Sequence, residues 1–270
     1  MKEKGVLYLS MGTKHHARLT VSLYALRKHY GGPIAVMSPQ EPAIEVLSKI
    51  TDDHAIKADI LIIEPARLRR NSHYVTKTLM SKYTPFKNNV FLDADTLPVK
   101  PIDDLWPYRK ELFLTQFTTW ISNRPPVKGR IEKWKDAAPE LVVRALTKSY
   151  PAVNTGVIGF LKDDPCMTAW YDLTIKNPIF IADGIAMQLL YPNYPVMVRD
   201  DGYNCSPIYG QNKDKAVIWH FHGGKHLRSE AQPLWLPIYK ECWERNIGQI
   251  RDWTPSGDES LGQFLKDHPL

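Results

Sequence analysis

Cysteine is scarce in this chain: three residues in 270, Cys166, Cys205 and Cys242, far apart and without a C-x-x-C pair. That argues against a disulfide framework and a cysteine-ligated zinc site, and it fits a reduced compartment. No apolar run approaches the roughly 18 residues that a membrane span requires. Internal repeats and low-complexity stretches are missing too, which argues against solenoid and disordered architectures. One elaborated domain over 1–270 is expected, with 227–270 as a helical tail. The opening Met1-Lys2-Glu3-Lys4 leads directly into Gly5-Val6-Leu7-Tyr8-Leu9-Ser10, too short for a secretory core, so a cytoplasmic protein is expected. No helix-turn-helix, zinc-finger or RNA-recognition signature accompanies the net charge of +6, and nucleic acid is not an expected partner. The excess of cations suits handling of phosphates or contact with an anionic surface.

What is present is ordinary globular composition, 43% apolar and 24% charged, with aromatics in plenty. The amino-terminal half alternates short apolar runs with helical patterns, as βαβ units do. Strands are expected at 5–10, 34–37, 59–63 and 89–92, and helices at 16–30, 41–50 and 74–83. The last of these helices stops at Thr84-Pro85, because the residue before proline is pushed out of the α region. Farther on, strands are expected at 112–117, 152–160 and 216–219, and helices at 131–148, 164–176 and 182–191. The segment Thr118 to Gly129, with Asn123-Arg124-Pro125-Pro126, reads either as a flexible lid or as a plain surface loop.

Asp93-Ala94-Asp95 closes the apolar run Asn89-Val90-Phe91-Leu92. Two carboxylates one residue apart, at the carboxyl edge of a buried strand, offer hard oxygen ligands where open α/β sheets bind their ligands. Strand alternation would place both on one face, able to share Mn²⁺ or Mg²⁺ and, through it, a diphosphate. His220 and His222 end another apolar strand before Gly223, and one of the two is the third ligand, His220 being favoured by its spacing to the glycine. Lys225, beside Gly223 and Gly224, and Lys77 are the candidate cations for the phosphates.

Several segments resemble the family 8 glycosyltransferases, the glycogenin-like members in particular. Val90-Phe91-Leu92-Asp93-Ala94-Asp95-Thr96-Leu97 followed by Pro101-Ile102-Asp103-Asp104-Leu105-Trp106 is similar to the family's strand, D-x-D motif and turn. Lys77 precedes Asp93 at the family's spacing for a donor-binding lysine, Asn154-Thr155-Gly156 resembles the run beside the donor sugar, and His220-Phe221-His222-Gly223 resembles its H-x-x-G. The order is kept over roughly residues 5 to 226. One departure stands out: in the family's H-x-x-G-x-x-K pattern His226 falls on the lysine position and Lys225 comes one place early.

The resemblance implies a GT-A-like α/β domain, a mixed central sheet flanked by helices. It implies a metal-dependent hexosyltransferase acting on a nucleotide sugar, a UDP-sugar, with retention of anomeric configuration. The expected metal ligands are Asp93, Asp95 and His220. The expected donor contacts are Leu9, Ser10, His15, Lys77, Asp93, Ala94, Asp95, Asn154, Gly223 and Lys225, with His15 near the base. Asp183 falls where the family has an acidic residue near the reacting sugar; as an aspartate at a helix start it reads equally as an N-cap. The acceptor is a saccharide, glycolipid or protein hydroxyl. Trp235, Trp243 and Trp253, interleaved with Arg228, Lys240, Arg245 and Arg251, read either as packing of a carboxyl-terminal helix or as peripheral membrane contact. The rival functions are a sugar-phosphate nucleotidyltransferase, whose glycine-rich basic loop Ser10 to Lys14 does not supply, and a catalytically silent nucleotide- or carbohydrate-binding module.

Overall fold

The computed structural model describes residues 2–41, 44–68, 70–107, 111–223, 226 and 228–253. In chain order the elements are β1 (Lys2–Leu9), α1 (His16–Arg27), β2 (Ile34–Ser38), α2 (Ile44–Thr51), β3 (Asp59–Ile62), α3 (Ser72–Thr78), α4 (Met80–Tyr83) and β4 (Phe86–Leu92). There follow β5 (Thr96–Pro98), β6 (Leu112–Ile121), α5 (Val127–Ile131), α6 (Pro139–Thr147), β7 (Pro151–Leu161) and α7 (Pro165–Thr174). The last are α8 (Ala182–Leu190), β8 (Val196–Arg199), β9 (Ile218–His220) and α9 (Gln232–Glu244).

Seven strands form one mixed sheet in the order β3-β2-β1-β4-β7-β6-β8. β1 to β4 run parallel, as the βαβ pattern requires, and β7 lies antiparallel to both β4 and β6. The apolar runs are continuous because both faces are covered. Alternation sorts them into two cores: Val6, Tyr8, Val90 and Leu92 face a layer with α1, α2 and α9, while Leu7 and Phe91 face the layer holding Trp134 and Trp170. Each such side chain, fully buried, contributes about 1.5–3 kcal/mol.

Two expectations are corrected. The helix over 131–148 is broken, α5 giving way to a 3-10 turn and α6 restarting at Pro139, whose missing N–H suits a first turn. The connection over 118–129 is shorter than expected: β6 runs on to Ile121 and α5 starts at Val127, leaving turns over 122–126 that hold Asn123-Arg124-Pro125-Pro126. In the described part of 227–270 the expected helix is α9, which buries Trp235, Tyr239 and Cys242 in the core, and Trp243 and Trp253 pack against it. Arg245 bonds Tyr24 and Glu241, and Arg251 donates to the carbonyls of Trp243 and Glu244, so packing accounts for these two cations.

Candidate metal centre

Asp93 and Asp95 converge for a reason other than strand alternation. β4 ends at Leu92, and a turn follows in which Thr96 returns its N–H and its hydroxyl to the Asp93 carbonyl, at 3.1 and 2.7 Å. β5 then pairs antiparallel with β9, setting Thr96 opposite His220, while Phe221 N–H donates to the Asp95 carbonyl at 2.9 Å. This two-stranded ribbon delivers the imidazole: His220 Nε2 lies 3.2 Å from Asp95 Oδ1 and 3.8 Å from Asp93 Oδ2. One ligand atom from each of the three falls within 4.8 Å of the others. Two carboxylates and an imidazole fit a divalent cation. His222 stands perpendicular to His220 at 5.2 Å and is not among the three converging ligands.

The other imidazole nitrogen is held. Asn204 donates through Nδ2 to Thr115 Oγ1 at 2.8 Å and to Asn154 Oδ1 at 3.0 Å, so its Oδ1 is the acceptor that meets His220 Nδ1 at 2.8 Å. Nδ1 therefore carries hydrogen, and the ring is held with Nε2 toward the carboxylates, where it would meet a bound cation. Asn154 Oδ1 also accepts from Gly156 N–H at 2.7 Å, which places its side chain behind the histidine. Gly156 is glycine because a Cβ there would stand 2.6 Å from His220 Nδ1.

A second cluster adjoins the first. Lys77, on α3 and buried, bonds Asp93 at 2.9 Å, Asp183 at 3.3 Å and Thr155 Oγ1 at 3.3 Å. Thr155 in turn donates to Asp183 at 2.8 Å. Asp183 thus directs its carboxylate at Lys77 and Thr155, and Ile181, not Asp183, occupies the N-cap of α8. Burial works against the lysine's charge, but Asp93 and Asp183 outweigh it and its pKa is raised. Burial raises the Asp93 carboxyl, an effect that Lys77 and His220 offset only in part. Burial would raise Asp95 too, yet His220, His226 and Arg18 hold it far below the usual carboxylate range.

The loop after β1 borders the same region. Ser10 N–H continues the sheet by donating to the Met37 carbonyl at 2.8 Å, and Leu9 and Ala94 are half-buried. His15 ends a 3-10 turn, its Nδ1 3.4 Å from Arg18, and burial followed by Arg18 lowers its pKa. Gly223 is exposed with φ of 72°, while Lys225 lies outside the described residues. Arg18, Asn204 and His226 belong to this region and were not expected, while Thr155 entered only as the middle residue of the Asn154-Thr155-Gly156 run. Of the first three, only His226 left a trace in the sequence, at the motif's lysine position. It is buried with neither ring nitrogen bonded, stacked on Phe221 at 4.9 Å and edge-on to Trp235 at 5.0 Å. Burial and then Arg18 lower its pKa to about 3.

No protein-family model and no curated protein matches the chain. Solved structures do. An active-site mutant of LgtC superposes with a TM-score of 0.60 at 10% identity, over 88% of this chain and 95% of LgtC. The galactosyltransferase LgtC in complex with donor and acceptor sugar analogues gives 0.57 at 10% identity, with the same coverage. The chain has the GT-A glycosyltransferase fold. The glycosyltransferase GlyE of Streptococcus pneumoniae TIGR4 shares that fold, with a TM-score of 0.55 and 12% identity over 92% of this chain; the match spans 64% of GlyE. Within the GT-A fold here, the aspartates stand at the carboxyl end of β4, next to the antiparallel partner β7, where strand direction reverses. A crevice of that kind is where open sheets take ligands.

Proposed function

We propose that the protein is a metal-dependent glycosyltransferase that moves a sugar from a UDP-sugar to a hydroxyl acceptor, with retention of anomeric configuration. The observation that carries the reading is the convergence of Asp93, Asp95 and His220 from segments some 125 positions apart, with Lys77 beside them, on a GT-A sheet. Asp93, Asp95 and His220 would hold Mn²⁺ or Mg²⁺, which when bound neutralises charge on the diphosphate leaving group. Lys77 adds a preorganised cation and, through its contacts with Asp93 and Asp183, holds both carboxylates in place. Asp183, at the start of α8, is the carboxylate assigned to the reacting sugar. Leu9, Ser10, His15, Ala94 and Gly223 line the path of the nucleotide, and Asn154 acts by holding Asn204 and, through it, His220. In the transfer, the acceptor oxygen bonds the anomeric carbon. The bond from that carbon to the diphosphate oxygen breaks, leaving its electron pair on UDP, and the hydroxyl proton passes to water.

Titration calorimetry with UDP, with Mn²⁺ and with EDTA, tests the donor site, and release of UDP from UDP-glucose, UDP-galactose and their N-acetyl derivatives tests the chemistry. UDP binding at least tenfold tighter with Mn²⁺ is expected, with turnover of one donor that Asp93→Ala abolishes. Binding without turnover of any donor would leave a silent nucleotide-binding module, and unchanged turnover in Asp93→Ala would refute the metal centre.

A further inference from the structure

Four rings close a square beside His220. Phe117 meets Trp120 edge-on at 4.6 Å and His222 at 5.1 Å, Tyr209 lies parallel to His222 at 6.2 Å, and Trp120 faces Tyr209 at 6.2 Å. His222 is perpendicular to His220 at 5.2 Å, so the ledge runs directly out of the metal centre. Tyr209 is 41% exposed, and the other three rings are half-buried. The guanidinium of Arg130 sits over Trp120 at 5.9 Å and marks the far end.

A regular strand would not build this ledge. Phe117 and Trp120 are three apart and would point to opposite faces. Between Gln116 and Ile121, β6 advances five positions while its partner β7 moves only two, from Val153 to Pro151. The excess is absorbed around Thr118, which takes a φ of 54°. A β-branched residue in the left-handed region costs about 1–3 kcal/mol. The Thr118 hydroxyl is buried with no hydrogen-bond partner, a further cost of about 1–3 kcal/mol. Phe117 and Trp120 pack against the second core with part of each ring left in solvent. Bulges that re-aim side chains, and unsatisfied buried polar groups, cluster where a site is shaped for a ligand.

We propose that Phe117, Trp120, Tyr209 and His222 form the acceptor subsite and that the acceptor is a saccharide. The inference rests on the glycosyltransferase reading above and names its second substrate class. A pyranose ring presents a flat C–H face that lies on aromatic faces while its hydroxyls stay wet, which matches half-exposed rings. An acyl chain would demand an enclosed apolar channel. The ledge ends at His220, so a sugar seated on it presents a hydroxyl to the metal centre.

The test uses the full chain with Mn²⁺ and UDP, and saturation-transfer NMR against lactose, maltose and cellobiose. Transfer from the protein to the C–H face of at least one of these is expected. Trp120→Ala and Tyr209→Ala should weaken that binding at least tenfold more than they weaken UDP binding measured calorimetrically, while Trp120→Phe and Tyr209→Phe, which keep a ring, should retain most of it. If the wild type binds UDP yet contacts none of the sugars, or if the alanine variants bind sugar as well as the wild type, the acceptor subsite is overturned and the donor reading stands. If the wild type fails to bind UDP with Mn²⁺, the donor reading itself falls.

Discussion

His220 faces the aspartates with one nitrogen because Asn204 holds the other, and that division of labour predicts how single residues fail. Asn204→Leu removes the acceptor for Nδ1–H and leaves the ring free to rotate, and loss of such an outer partner weakens metal affinity by about 10–100-fold. Mn²⁺ titration, followed by calorimetry with the melting curve as a control for folding, should show this loss. Gly156→Ala should produce a comparable defect by a different route, since the new methyl would overlap the imidazole. Its melting midpoint without metal should move less than its Mn²⁺ affinity. Lys77→Met leaves the buried Asp183 and the half-buried Asp93 without their shared cation, and removing one partner of a buried pair costs about 3–5 kcal/mol; urea unfolding measures it. Asp93, Asp95, His220 and Lys77 were legible because their spacing carries the pattern. Asn204 was not, since nothing adjacent in sequence distinguishes an asparagine that touches His220 from one in solvent.

At the scale of elements, short pieces do the positioning. β5 and β9 are three residues each, too short for periodicity to reveal, yet their pairing is what sets His220 beside Asp95. The long apolar runs of β1, β2, β4 and β7 were read correctly because burial on both faces leaves an unbroken signature. β6 was read only to Phe117, since the bulge at Thr118 interrupts alternation just where the strand acquires its shape. Glycine tolerates φ near 54° without penalty. Thr118→Gly is therefore expected to raise the melting midpoint by a few degrees, roughly 2–4 °C per kcal/mol for a chain of this size, while loosening the aromatic ledge. A lower midpoint would contradict the strain assigned there. Trp235→Ala in α9 should cost about 3–5 kcal/mol, as for any large buried ring, and calorimetric melting would show that the helix belongs to the core.

For the whole molecule, acid should act through buried imidazoles. His16 has neither ring nitrogen bonded, and burial, then His15, lowers its pKa to about 4 from 6.5; His226 behaves alike, near 3. Both are neutral in the folded state, while the unfolded chain takes up protons below about 6.5. Stability is thus complete above that pH and declines as pH falls toward 4. The melting midpoint should drop by several degrees across this window, and His16→Leu should lessen the drop; a flat midpoint would contradict neutral burial. Under the proposed function, saturating UDP with Mn²⁺ should raise the midpoint, ligand at a hundredfold its Kd adding about 2.7 kcal/mol. Among the described residues no helix is long and apolar enough to cross a membrane.

The amino-acid sequence by itself determined the parallel βαβ half, the D-x-D, the histidine motif and the lysine ahead of them, because periodicity and short spacing are local properties that survive in one dimension. Only the tertiary structure decided that His220 rather than His222 meets the aspartates, that Asp183 faces Lys77 instead of capping its helix, and that Phe117, Trp120, Tyr209 and His222 share one ledge. Those facts depend on strand register and on a bulge. Register is set by packing between segments more than a hundred residues apart, which no local pattern encodes.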